Sequence, residues 1–321
     1  LLKIQTFWEC RTTTLVIILK EIQYQDKNLW PILITIFMKF FTVDLEDWFH
    51  LLDFEPTKNP KDWEKFESRV DYGLDRILAV LDDKKIKATF FVLAWLGERR
   101  PELVKELKKR GHEIASHGYG HQLAFEQTPK DFYEDILKSR LILEEIISDK
   151  VIAYRAPGFS IRKDNAEYLR LIYKSGYRID SSLFPLRRSH GGFENSLTKP
   201  YRIEIEDSKY LLELPISSYR LLNKNIIISG GGYFRIAPLW LLRKNFVRNE
   251  YLMTYFHPRD FDDQQPLLEG LSPLRRFKAY TGLKHSYYKL SNLEYSGNWI
   301  QIESNMNFEK AQIIKLQNII N

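Results

Sequence analysis

The sequence of 321 residues predicts an α/β protein built on a parallel sheet, and three observations carry that prediction. Short apolar runs alternate with amphipathic helical stretches from Met38 onward, the runs end in polar residues, and glycine or proline marks the joins. In such folds the loops at the carboxyl ends of the strands gather the functional side chains.

Residues 39–44 read as a buried strand ending in Asp44-Leu45-Glu46-Asp47. Helical spacing follows over residues 61–83, with Val70, Leu74, Ile77, Leu78 and Leu81 on one face. Residues 87–93 form the next strand, Pro101 opens a helix that Gly111 stops, and residues 112–116 are a strand running directly into His117. A long amphipathic helix covers 129–148, and Ala153-Tyr154-Arg155-Ala156-Pro157-Gly158 is a strand end breaking into a loop. Residues 165–175 are helical up to Gly176, and 177–180 are a strand that ends in Asp180-Ser181-Ser182. The character changes over 199–235, where β-type alternation surrounds 201–205, 211–214 and 226–228 before the turn Gly230-Gly231-Gly232. After a helix over 238–249, residues 251–256 are a last strand leading to His257-Pro258-Arg259-Asp260. There is no internal repeat or low-complexity linker, so we expect one domain from 38 to about 300, with 301–321 as a tail.

Composition narrows the function classes. At 44% hydrophobic and 14% aromatic the chain can bury a large core. The net charge of +6, from 48 basic and 42 acidic residues, comes without an arginine-rich tract or a nucleic-acid module. No nucleic-acid partner is therefore expected; the mild basic excess suits anionic polymers or membrane surfaces better. The lone Cys10 cannot form an internal disulfide. The chain starts at Leu1 and its first methionine is Met38. The apolar runs over 15–19 and 32–37 are too short to span a bilayer, and interrupting charges make a poor signal peptide. We expect 1–37 to be a non-native extension, the working domain to start at Met38, and no transmembrane segment.

The stretch Ser116-His117-Gly118-Tyr119-Gly120-His121 is the chemical focus. Histidines four apart can turn both imidazoles to one point, and a carboxylate from 44–47 would complete a three-ligand metal site with positions open for water. The competing reading, two unrelated polar residues in a glycine-rich loop, is common for a lone His-x3-His pair.

Five ordered motifs favour the site. Thr42-Val43-Asp44-Leu45-Glu46-Asp47, Ser116 to His121, Arg155-Ala156-Pro157-Gly158-Phe159-Ser160, Asp180-Ser181-Ser182 and Tyr255-Phe256-His257-Pro258 together resemble the polysaccharide deacetylases, the NodB-homology proteins of carbohydrate esterase family 4. Residues 272–277 and 280–283 look like the subgroup linked to exopolysaccharide biosynthesis clusters. The resemblance, over about 38–290, implies a distorted (β/α) barrel of the NodB-homology type. It also implies a divalent metal, commonly zinc, and hydrolysis of N-acetyl groups on the amino sugars of a polysaccharide or its lipid-linked precursor.

On that resemblance His117 and His121 are metal ligands, Asp44 is the general base, Arg155 pairs with the base, and His257 protonates the leaving amine. Asp47 is our expected carboxylate ligand, with Glu46 the alternative. On an extended strand Asp44 and Glu46 face one way and Asp47 the other, but a strand ending here leaves the choice open. Among the aromatics Trp48 and Tyr119 are expected to line the cleft, with Pro157 and Gly158 as further substrate contacts. Gly118 departs from the family, which usually has Ser or Thr there. His50, His112, His190 and His285 are expected to be structural or surface residues, His50 lying nearest the cleft. The expected location is the cytoplasm, including the inner face of the membrane. Two other functions compete: hydrolysis of a small cyclic amide on the same scaffold, and carbohydrate binding by an inactive site.

Overall fold

The computed structural model describes residues 38–320 except 53, 187–190, 194–196, 222–223, 304–307 and 309–310. The expectations for 1–37, Cys10 and His190 lie outside the described residues. Strands β1 (Met38–Phe40) and β2 (Thr42–Leu45) are successive. Helix α1 (Val70–Lys84) leads to β3 (Thr89–Val92), and α2 (Ala94–Arg99) and α3 (Pro101–Lys109) lead to β4 (Glu113–Ser116). Then come α4 (Pro129–Ile147), β5 (Ala153–Tyr154), α5 (Tyr168–Lys174) and β6 (Ile179–Asp180). From β2 to β6 all neighbours pair in parallel and in sequence order, as the strand–helix alternation predicts.

The second half returns to the same sheet. β7 (Tyr201–Glu206) and β8 (Lys209–Glu213) form an antiparallel hairpin, and β8 runs parallel to β6. A separate pair, β9 (Tyr219–Leu221) and β10 (Lys224–Ile226), precedes α6 (Gly231–Ile236), α7 (Leu239–Arg248) and β11 (Tyr251–Met253). β11 lies parallel to β1, which has β12 (Asn298–Trp299) on its other side, after α8 (Pro273–Tyr280) and α9 (Leu283–Ser291). Val43 bridges Phe256, so the eight-stranded and three-stranded sheets share one curved wall. Among the described residues no ladder closes that wall. Side chains span the gap: Ser217 Oγ accepts from Met253 N at 3.1 Å and donates to Met253 O at 3.3 Å, and the Tyr251 hydroxyl donates to Pro215 O at 2.6 Å.

Strand alternation divides the core. Phe40, Phe91, Ala115, Ala153, Ile179, Leu212 and Met253 form the inner cluster, while Val43, Leu45, Phe90, Val92 and Ile114 pack outward with the helices. Several elements differ from expectation, among them the strand expected over 251–256, which stops at Met253 with single bridges at Tyr255 and Phe256. Residues 61–65 belong to a 3-10 turn, Pro60–Lys65, and the helix begins only at Val70, because the Arg69 amide is bound by Asp47. The strand expected over 226–228 ends at Ile226. Within the expected tail, β13 (Ile313–Lys315) pairs with β7, and the following α10 (Leu316–Ile320) buries Leu316 and Ile319.

Candidate metal centre and active site

Each motif residue sits where a strand ends. Asp44 lies near the end of β2, His117 follows β4, Arg155 follows β5 and His257 follows β11 by four residues. Parallel register brings these ends to one rim. The inward set Phe40, Thr42 and Asp44 continues in step to Glu46, one residue beyond the strand, and all four are buried.

Glu46, His117 and His121 place one ligand atom each within 4.8 Å of one another, all three buried. His117 Nδ1 lies 2.8 Å from Arg155 O. A carbonyl can only accept, so Nδ1 carries the proton and Nε2 keeps its lone pair, which is how a ligand histidine is set. Burial, above all, pulls the His117 pKa down to about 4, so the ring is neutral at neutral pH. Glu46 Oε2 stands 2.5 Å from His121 Nε2, yet it is buried without a hydrogen bond of good angle. Burial opposes ionisation of Glu46, but His121, His257 and His117 together outweigh it and hold its pKa below the ordinary value. Three donors converging on one point, one of them a buried carboxylate oxygen without its own donor, fit a divalent cation.

The loop between the histidines is held by a residue the sequence reading missed. Asp135, on α4, accepts from Tyr119 N at 2.9 Å and Gly120 N at 2.8 Å. Gly118 has φ +76, and a Cβ there would stand 3.0 Å from Asp135 Oδ2, which accounts for glycine at the position where the family usually carries a hydroxyl residue. His121 adopts φ +49, a costly conformation for a non-glycine residue. A signal for Asp135 exists: it is the acid among Phe132, Ile136 and Ser139, which α4 buries.

Asp47, expected as a ligand, is not brought to the histidines. Its carboxylate accepts from Trp48 N at 2.9 Å, from Arg69 N at 3.0 Å and from the Ser68 hydroxyl, tying the strand end to the start of α1. Trp48 is also not in the cleft. It is 6% exposed, packs edge-on against Phe49 and Phe66, and donates its indole N–H to Glu67 O at 2.9 Å. Tyr119 is half-buried, its hydroxyl on Glu98 and Lys138 Nζ 3.2 Å over its ring. Pro157 is buried against the Gly118 turn, and Gly158, at φ +64, is partly exposed beside it. His50 is buried among Phe49, Trp63 and Trp95, its ring 5.8 Å from that of His121. His112 accepts from Ala88 N and His285 is exposed, both as expected.

Arg155 is fully buried and organises the carboxylate beside the cluster. Its guanidinium donates to Asp44 Oδ1 at 2.5 Å, Thr42 Oγ1 at 2.9 Å and Ser181 Oγ at 3.1 Å, over the face of Phe91. Asp44 Oδ2 is left facing His257 Nε2 at 3.7 Å, and Glu46 Oε1 lies 4.0 Å from the same nitrogen. On the far side of the ring, His257 Nδ1 meets Asp260 Oδ2 at 2.9 Å, and Asp260 also accepts from His257 N. Burial lowers the His257 pKa, but Asp260, Glu46 and Asp44 reverse this and lift it to about 9. Asp260 in turn stands 3.1 Å from Arg235 Nε, itself buried. The sequence reading named neither Asp260 nor Arg235 as a site residue.

Residues 66–178 match the family model described as polysaccharide deacetylase. The chain thus carries a polysaccharide deacetylase domain. Residues 181–307 match a domain of unknown function, DUF3473. A peptidoglycan-N-acetylglucosamine deacetylase of Bacillus cereus is 30% identical over 103 residues, 32% of this chain and 46% of that protein. A peptidoglycan deacetylase of Helicobacter pylori is 27% identical over 138 residues, 43% of each. The chain thus spans less than half the length of these relatives. A crystal structure of a probable polysaccharide deacetylase from Pseudomonas aeruginosa superposes with TM-score 0.51 at 13% identity, covering 88% of this chain and 89% of that one, which shows the shared fold. In this chain the deacetylase-matched region holds His117, His121 and Arg155, the DUF3473 region holds His257, Asp260 and Arg235, and Asp44 and Glu46 precede both.

Proposed function

We propose that this protein is a metal-dependent hydrolase removing N-acetyl groups from the amino sugars of a polysaccharide or its lipid-linked precursor. One observation carries the reading: the donors of Glu46, His117 and His121 share a rim with a carboxylate held by Arg155 and an imidazole held by Asp260, all in reach of one small group. Glu46, His117 Nε2 and His121 would hold the cation, zinc being the expected one. Such an ion polarises an amide carbonyl and acidifies water near neutral pH.

The chain's own residues divide the proton work. Arg155 fixes Asp44 through Oδ1, which leaves Oδ2 to take a proton from the attacking water as its oxygen bonds to the acetyl carbon. His257, protonated and anchored at Nδ1, presents Nε2–H on the same side and gives that proton to the sugar nitrogen as the carbon–nitrogen bond breaks. Acetate and a free amine result. Asp260 is a positioning residue that keeps the imidazole oriented and charged. A purely binding role would leave both the Asp44–Arg155 and the His257–Asp260 pairs without a task. The test is acetate release from a panel of N-acetylated oligosaccharides and lipid-linked sugars, with and without chelator. Release that stops with chelator and returns with zinc supports the reading, and no release from any member overturns it.

A further inference from the structure

The elements on the far side of Arg235 from the active site carry a surface of unusual composition. Tyr233 and Ile236 on α6, Trp240 on α7, and Leu274 and Phe277 on α8 are between 47% and 65% exposed. They belong to one neighbourhood. The Arg235 guanidinium donates to Lys278 O at 2.7 Å and Ala279 O at 2.8 Å, hooking α6 to the end of α8. Lys289 on α9 donates to Arg235 O at 2.6 Å and Ala237 O at 2.8 Å, holding α9 against the turn into α7. On α8, Leu274 and Phe277 are three apart on one face, while Ala279 is buried. Monomeric proteins seldom leave several large apolar side chains open together without a partner for them.

Charge identifies the partner. Residues 231–249 contain Arg235, Arg243, Lys244 and Arg248 and no acid. Residues 270–292 contain Arg275, Arg276, Lys278, Lys284 and Lys289 and again no acid. These nine basic residues exceed the whole chain's excess of six, so the remainder of the chain is net acidic. Arg243 and Lys244 on α7 and Arg276 and Lys278 on α8 are exposed, on the same helices as Trp240, Leu274 and Phe277, while Lys284 on α9 neighbours Asp263. Aromatic and aliphatic side chains ringed by Lys and Arg suit the headgroup boundary of an anionic bilayer, where apolar groups enter and cations meet lipid phosphates. Among the described residues no helix is long and apolar enough to cross a membrane, so attachment through this face would be in plane.

We propose that the α6–α7–α8 face docks on an anionic lipid bilayer. The face lies one ion pair from the site, since Arg235 contacts both α8 and Asp260, the partner of His257. Docking there holds the cleft at the membrane, where an acceptor carried on lipid would be presented. The surface itself is the same whatever reaction the cleft performs.

The experiment is co-sedimentation of the full chain with vesicles of phosphatidylcholine alone or mixed with phosphatidylglycerol. We expect partition onto the mixed vesicles, weakening in about 1 M salt, where the screening length falls to about 3 Å. Each basic residue near such a surface is worth about fivefold in partition, so Arg276→Gln with Lys278→Gln should reduce binding about 25-fold. Trp240→Ser with Phe277→Ser should weaken it as well, and thermal melting of each variant should match the parent because all four residues are exposed. No preference for anionic vesicles, or binding unchanged in both variants, overturns the proposal. So does salt-resistant self-association that the same substitutions abolish, which would make a second copy the occupant.

Discussion

Glu46 and Asp47 are neighbours with opposite expected phenotypes, and exchanging each for its amide separates them. Asp47 accepts from two backbone amides and the Ser68 hydroxyl, linking the end of β2 to the start of α1. An asparagine keeps one oxygen acceptor and turns an N–H2 toward the other donors. Hydrogen bonds to a charged group are worth about 1.5–3 kcal/mol each, so losing one or two costs about 1.5–6 kcal/mol. In a chain of this size that lowers Tm by roughly 2–9 °C. Glu46→Gln removes a buried charge that His121, His257 and His117 hold ionised, so the metal-free protein should lose some stability as well, and metal binding is what separates the two variants.

The metal readouts should differ between them. Zinc at about a hundred times its Kd stabilises the native state by about 2.7 kcal/mol, several degrees in Tm. That zinc-induced rise should persist in Asp47→Asn and vanish in Glu46→Gln, with bound metal by elemental analysis following the same pattern. The reverse result, metal lost from Asp47→Asn and kept by Glu46→Gln, would refute the reasoning that geometry at this strand end selects the ligand.

His257→Ala should slow amide turnover about 10²–10⁴-fold with metal content unchanged, while an activated nitrophenyl acetate, which leaves without a proton, is much less affected; equal loss on both would remove His257 from the acid role. The His257 pKa is raised, so the acid form is present below about 9 and is lost as pH rises through that value. Asp260→Asn removes a principal cause of the rise, and the alkaline limb of kcat/KM should move to lower pH than in the parent; an unmoved limb would show that Asp260 does not hold the proton. Gly118→Ala places a Cβ 3.0 Å from Asp135 Oδ2 at φ +76, at a cost of about 1–2 kcal/mol, and should weaken zinc binding measured by calorimetry. Unchanged affinity would mean that the loop tolerates the side chain.

The parallel half of the fold is legible because its strands are short, apolar and punctuated: Pro101 and Gly111 bracket α3, and the run before His117 is β4 itself. The carboxylate choice is less legible for a physical reason. Side-chain alternation outlives the ladder hydrogen bonds by one residue, so Glu46 follows Thr42 and Asp44 inward although β2 ends at Leu45. Trp48 shows the limit of composition, since an aromatic beside a motif packs in the core as readily as in a cleft, and only its contacts with Phe49 and Phe66 distinguish the two. Asp135 and the Arg235–Asp260 pair depend on contacts between elements far apart in the chain, which no local period encodes.

That long-range character ties the two matched regions into one machine. The candidate metal cluster, Glu46, His117 and His121, follows the early strands, whereas His257, the proposed acid, follows β11, and β11 is also the parallel partner of β1. Removing β11 would therefore strip the acid from the rim and uncover Met38 and Phe40, which pack with Tyr251 and Met253 in the inner cluster. The DUF3473 segment is thus not an appendage to a finished deacetylase barrel. It supplies part of the barrel wall, the side chains spanning the gap between Ser217 and Met253, and His257 at the rim, so the candidate site is complete only with this segment in place.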